Sequence, residues 1–251
     1  MSVTQQFLER VREYQARIAR EETGRITAAA RLIADCVAGD GLVHVIGPGG
    51  HSMLAAEECF YRAGGLVPID AILDGGFWLG AGAARSTRIE RTPGYAKAVL
   101  DGYALRRGEV LMIVNAYGVN AATVDAAGEG RARGLATIGV TSVEHARSLP
   151  RDHPARHPSG QNLFEIVDVY VDTKVPVGDG VLRLPGLDEP VGPISTLNNA
   201  FALNAILLEA MAQLLARGQT PPVWRSANSP GGDEFNRRYF DEYGARIRRL
   251  L

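Results

Sequence analysis

The chain has 251 residues, 46% of them hydrophobic and 22% charged, the balance of a globular protein able to bury a sizeable core, as one large domain or as one domain with appendages. A formal net charge of −1 gives no basic field for nucleic acid or a membrane surface, no apolar run looks long enough to span a bilayer, and no charged-then-apolar leader opens the chain. Cys36 and Cys59 lack metal-ligand spacing and read as free buried thiols, so the expectation is a cytoplasmic protein with no cofactor, no metal, and no nucleic-acid or membrane partner.

Residues 3–38 read as one long helix or a helix pair. Phe7, Leu8, Val11, Ile18, Ile26, Ala30, Ile33 and Val37 recur at helical spacing, with Gly24 a candidate kink and Gly39-Asp40-Gly41 the end. A β-branched run over 43–46 reads as a buried strand. It breaks at Gly47-Pro48-Gly49-Gly50-His51-Ser52 and gives way to a helix from Met53 to Tyr61. Strand, glycine-rich turn and helix start make a phosphate-binding geometry. The glycines let the backbone approach a ligand, the first helical N–H groups have no partner, and Ser52 at or near the N-cap adds a hydroxyl. Both the Lys-Ser/Thr ending of a nucleotide-binding loop and the pattern Gly-x-Gly-x-x-Gly are absent, so a phosphate on something other than a nucleotide is the first reading, with a plain tight turn as the alternative.

Residues 66–73 follow as a second strand, and the glycine- and alanine-rich stretch 74–92 reads as irregular. Pro93 opens a helix, and 109–115 is the clearest strand, its apolar run continuous as in strands covered on both faces. A second polar turn, Asn115-Ala-Tyr117-Gly118-Val-Asn120, precedes a helix over 121–133. Gly134 ends it, and a strand over 135–142 closes on Thr141 and Ser142. Residues 143–162, with three prolines and His145, His153 and His157, read as a long loop, and 164–172 as a fifth strand. Residues 176–193 are another loop with one small strand at 181–184. Residues 196–216 form a closing helix, with Ser195 or Thr196 as its cap, and a polar tail leads to a last amphipathic helix. This alternation predicts an α/β fold: a doubly wound, parallel, five-stranded sheet flanked by helices, flavodoxin-like, with an N-terminal helix and a C-terminal helical tail. Ligands sit at the C-terminal ends of such strands, where the two polar turns can meet.

This order resembles the sugar isomerase (SIS) domain family, which includes phosphoheptose isomerase and N-acetylmuramic acid 6-phosphate etherase. Gly49, Gly50, His51 and Ser52 match its first phosphate-gripping turn, and 115–120 stands where the family carries Ser-x-Ser-Gly-x-Thr. Gly50-His51-Ser52, Tyr61-Arg-Ala-Gly-Gly65, Pro176-Val-Gly-Asp179 and Ser226-Ala-Asn228 with Gly231-Gly-Asp-Glu-Phe-Asn236 resemble a branch of phosphosugar isomerases. The resemblance divides the chain into an N-terminal helical segment (1–39), a SIS domain (40–218) and a C-terminal tail with a helix (219–251). It implies a sugar-phosphate ligand, aldose–ketose isomerisation like that of phosphoheptose isomerase, and a homodimer or tetramer. An ether lyase and a non-catalytic sugar-phosphate sensor are the alternatives.

Moving a proton between two carbons calls for a carboxylate or histidine tuned toward neutral pH. The catalytic candidates are His51 within the turn and Glu57 or Glu58 on the helix after it; being adjacent, those two point about 100° apart, so one at most faces inward. The phosphosugar-binding candidates are Gly49, Gly50, Ser52, Asn115, Tyr117, Gly118, Asn120, Thr141, Ser142, Ser195 and Thr196. Three further candidates, His157, Glu90 and Asn228, lie on polar loops, where binding groups collect. Tyr117 is far bulkier than the serine it replaces and is expected to fill part of the phosphate niche.

Overall fold

The computed structural model describes residues 1–251. Its centre is a five-stranded, all-parallel sheet in the order β2-β1-β3-β4-β5, built from Val43–Ile46 (β1), Ile69–Ile72 (β2), Val110–Val114 (β3), Ala136–Thr141 (β4) and Val169–Asp172 (β5). β1 and β3 are neighbours whose onward connections lead to opposite edges. Their C-terminal ends therefore flank the point where the winding reverses, which is where a crevice opens in a doubly wound sheet.

Both faces of the sheet are covered, which is why its central strands are apolar without alternation. On one face Val43, Val45, Met112, Ile138 and Val140 pack against helix α2 (Thr23–Ala38) and α9 (Ser195–Ala216), with α3 (Met53–Cys59) beside them. On the other, Ile46, Leu111 and Ile113 meet α5 (Tyr95–Leu100), α6 (Ala121–Ala132) and the single turn α8 (Leu163–Ile166). The first helix, α1 (Val3–Glu21), lies outside, where Tyr14 packs with Val181 and Ile194. The tail returns to the sheet through α10 (Gly232–Tyr243), burying Trp224, Tyr239, Tyr243 and Ile247 against Leu42 and Val67.

Several elements depart from the sequence reading, each for a local reason. The N-terminal helices break at Glu22, not Gly24: the Glu22 side chain is buried and bound by Lys174 at 2.6 Å and Arg25 at 2.9 Å, and the chain leaves helical geometry to place it. The second strand begins at Ile69, because Leu66 and Val67 pair instead with the tail at Val223 and Pro222. Residues 163–166 are helical, held by a capping box between Asn162 and Glu165, so β5 starts only at Val169. The stretch 74–92 contains a 3-10 turn (Leu79–Ala81) and α4 (Ala83–Glu90), and the loop after β4 opens with α7 (Val143–Ser148). The small strand becomes an antiparallel hairpin, β6 (Gly180–Leu182) with β7 (Val191–Pro193). Helix α9 is, against expectation, long and apolar enough to match a bilayer span by length and composition, yet Ala202, Leu203, Ile206, Leu207 and Ala210 are buried in the sheet's core.

Opposite the crevice, on the N-terminal side of the sheet, lies a buried ionic cluster. His44 Nδ1 faces Asp70 and Nε2 faces Glu109, each at 2.9 Å, and all three side chains are buried. Both ring nitrogens can donate only as imidazolium. Burial opposes that charge, but the hydrogen bonds to Asp70 and Glu109 outweigh it and raise the His44 pKa. Asp70 also accepts the Arg248 N–H, tying the C-terminus to the sheet.

Candidate active site

The turn after β1 is shaped by glycine where nothing else fits. A Cβ on Gly47 would collide with the Ser52 backbone. Gly49 holds φ +132°, and a Cβ there would strike the Glu90 carboxylate. Asn115, buried at the end of β3, fastens this turn to the second one. Its Nδ2 donates to the Pro48 carbonyl at 2.8 Å and to Ser52 Oγ at 3.3 Å, while its Oδ1 accepts the N–H groups of Gly118 (2.8 Å) and Tyr117 (3.1 Å). One amide thus sets the conformation of both turns.

Between them opens a cleft of about 410 Å³. One wall is the first turn (Gly50, His51, Ser52) and another the second (Asn115, Tyr117, Asn120). Ser86, Thr87 and Glu90 enter from α4, and Asp179, Ser195, Thr196 and Asn199 complete the lining. The lining holds two carboxylates and neither lysine nor arginine; His51 is its one basic side chain. Burial pushes the Glu90 carboxyl up to about 7, with Arg91 the opposing influence. Tyr117 lies flat on the buried His145, ring centroids 3.8 Å apart and planes 17° from parallel, so its side chain forms a wall of the cleft. Burial, then the Asp179 and Glu90 carboxylates, raise its pKa and keep its hydroxyl protonated. Burial lowers the His145 pKa, keeping that ring neutral.

The family model described as SIS domain matches residues 6–142. The chain belongs to the SIS domain family. Within it, the SIS protein is 36% identical to a UPF0309 protein of Geobacillus thermodenitrificans over 98% of this chain and 97% of the other, and 40% identical to one of Streptomyces coelicolor over 96% and 95%. Among solved structures, the phosphoheptose isomerase of Neisseria gonorrhoeae is similar with a TM-score of 0.56 at 16% identity, covering 84% of this chain and 97% of that one. The phosphoheptose isomerase of Francisella tularensis is similar at 0.54 and 14%, over 84% and 98%. At those identities the likeness is one of fold.

The SIS cleft gathers many of the residues singled out in the sequence and leaves others aside. Gly50, His51, Ser52, Asn115, Tyr117, Asn120, Ser195, Thr196 and Glu90 line it, and Gly49 lies against Glu90. Glu57 and Glu58 do not line it. They border an adjoining depression of about 380 Å³ that shares His51, Thr196 and Asn199 with the cleft, and Glu58 is paired with Arg62 at 3.1 Å. Thr141 is fully buried beneath Gly118, and Ser142 caps α7, its hydroxyl donating to the Val175 carbonyl at 2.6 Å. His157 is engaged by Ser159 and Asp125, and Asn228 is exposed in the tail, away from the cleft. Neither Ser195 nor Thr196 caps α9 as expected; Asp179 does so from a distance, accepting the Ser195 N–H at 2.7 Å. Asp179, in the Pro176–Asp179 motif, and Asn199, in Ser195-Thr196-Leu-Asn-Asn199 at the start of the closing helix, are not among the candidates, and Ser86 and Thr87 carry no signal at all.

Proposed function

We propose that this cleft binds a sugar phosphate and moves a proton on the carbon next to its carbonyl, as an aldose–ketose isomerase does, with Glu90 as the acid/base. The observation that carries this reading is Glu90 itself: a carboxyl tuned to about 7, packed against the glycine turn, in a cleft lined by hydroxyls and amides. A group with that pKa exists in both forms at neutral pH, so it can take a proton from C2 and return it to C1. Ser52 Oγ and the first turn's backbone, with the α6 N-terminus at Asn120, are the donors for phosphate oxygens, where a helix end favours negative charge. The fold shared with two phosphoheptose isomerases and membership of the SIS domain family support the sugar-phosphate part.

One observation favours a second reading. Tyr117 lines the same cleft and carries an O–H donor that a departing oxygen can accept from, so proton removal at C2 can also lead to elimination of the C3 substituent, as in an ether lyase. A thermal-shift screen with sugar phosphates, followed by NMR of any stabilising ligand in D2O, tests both. Exchange at C2 with appearance of the isomer supports isomerisation, loss of the C3 substituent supports elimination, and binding without exchange leaves a sensor. A homodimer or tetramer is part of the proposal, its contact the exposed Leu197, Leu208 and Leu215 on α9, checked by light scattering of the eluting protein.

A further inference from the structure

The first turns of α9 carry two asparagines in a row, and their surroundings differ. Asn198 is fully buried, and its Nδ2 donates to the Thr173 carbonyl at 2.8 Å, fastening the helix to the chain just after β5. Its Oδ1 is unpartnered, but the residue lines no part of the cleft. Asn199 is only 3% exposed, yet its Oδ1 has no partner and its Nδ2 donates to no protein group. Burying a carboxamide unpaired costs free energy that folded chains ordinarily avoid. Of the buried side-chain polar atoms left in this condition, Asn199 Oδ1 alone belongs to a residue of the cleft. Asn199 also lines the adjoining depression, and with His51 and Thr196 it marks where the two spaces meet. The other asparagines of the cleft are engaged: Asn115 Nδ2 donates to the Pro48 carbonyl, and Asn120 Nδ2 to the Ala155 carbonyl at 3.0 Å. Asn199 is therefore the one carboxamide in the lining that is free to meet a ligand.

We infer that Asn199 is a ligand-binding residue, placed at the junction of cleft and depression, whose carboxamide the ligand completes. A carboxamide presents a donor and an acceptor side by side, so its complement accepts one hydrogen bond and donates another. Two neighbouring sugar hydroxyls meet that description, whereas a phosphate dianion only accepts. Asn199 thus holds the hydroxyl-bearing part of the ligand. This inference rests on the sugar-phosphate reading of the cleft.

The test compares N199L with N198L, since leucine has nearly the shape of asparagine and no polar group. In urea melts of the ligand-free chain, N199L is expected to keep the wild-type midpoint or raise it, because it removes an unpaired buried amide. N198L strands the Thr173 carbonyl and is expected to lower the midpoint. Calorimetric titrations then use glucose 6-phosphate, fructose 6-phosphate and sedoheptulose 7-phosphate. For whichever of these binds wild type most tightly, N199L is expected to raise Kd about tenfold or more, and N198L to leave it within about twofold. A lower midpoint for N199L overturns the inference without any ligand, since the amide is then holding the fold. Affinity of N199L within about twofold of wild type, or an equal loss in N198L, overturns the role of Asn199 and leaves the sugar-phosphate reading standing. A wild type that binds none of the three overturns that reading and this inference with it.

Discussion

Glu90→Gln is expected to make the protein more stable and less active at once. In the folded chain the carboxyl is pushed from the ordinary 4.5 up to about 7 by burial. Between those pH values the native state holds a proton that the unfolded state has released, so stability falls as pH rises through the window. At about 1.4 kcal/mol per pH unit, the difference between 4.5 and about 7 corresponds to ~3 kcal/mol lost by pH 8. The carboxyl is partly solvated, so that figure is an upper bound. Glutamine keeps the size and the hydrogen-bonding character of the protonated acid and never ionises. Denaturant melts at pH 4 and pH 8 should show the two proteins nearly equal at the low value and E90Q ahead at the high one. The same substitution removes the proposed base, and C2 proton exchange should fall by about 10²–10⁴. In wild type, exchange should rise with pH through about 7, as the carboxylate forms. Equal stability at pH 8, or exchange undiminished in E90Q, would refute the reasoning: the first its electrostatics, the second its chemistry.

Three other outcomes follow from the same geometry. Gly49→Ala puts a methyl group into the space of the Glu90 carboxylate at a backbone angle that alanine resists, so exchange and sugar-phosphate binding should both fall sharply in assays that leave the circular dichroism unchanged. Glu57→Gln and Glu58→Gln, made singly, should leave the exchange rate within about twofold of wild type, since both groups stand outside the cleft and surface carboxylates have little reach through water. His44→Ala strands the buried Asp70 and Glu109 without their cation and should cost about 3–5 kcal/mol in a denaturant melt. Because the His44 pKa is raised on folding, the stabilisation from its charge is present in full below the unfolded value near 6.5 and is lost as pH rises through the higher folded value.

The sheet was legible because its strands are short apolar runs between glycine turns, and periodicity reports burial directly. Its edges were not, since they depend on distant partners: nothing in Leu66 and Val67 announces pairing with Val223 and Pro222, and Phe164 to Val167 look as strand-like as the residues after them until the Asn162–Glu165 cap is in place. The same division holds in the cleft. The two glycine turns could be read as anion-holding because backbone geometry is written locally in glycine and in helix starts. The proposed acid/base was harder to choose. Glu57 and Glu58 follow the first turn directly, but α3 ends after seven residues and carries them to the rim, whereas Glu90 arrives through α4 from a stretch that looked irregular. Asp179 is 16 residues from the helix it caps. No local pattern encodes such a contact.

The two ends of the sheet also solve opposite electrostatic problems. At the N-terminal end, His44 is buried between two carboxylates that satisfy both ring nitrogens, an arrangement that makes partial removal costly and fixes the tail against β2 through Asp70. At the C-terminal end, Glu90 is half-buried with no side chain donating to it, against the glycine turn and on the wall of the cleft. A group in that condition costs stability at neutral pH, and a fold selected for stability alone would replace it with glutamine or an apolar residue. Its retention in a cleft otherwise lined by hydroxyls and amides is intelligible if the unsatisfied carboxyl is what a bound ligand completes.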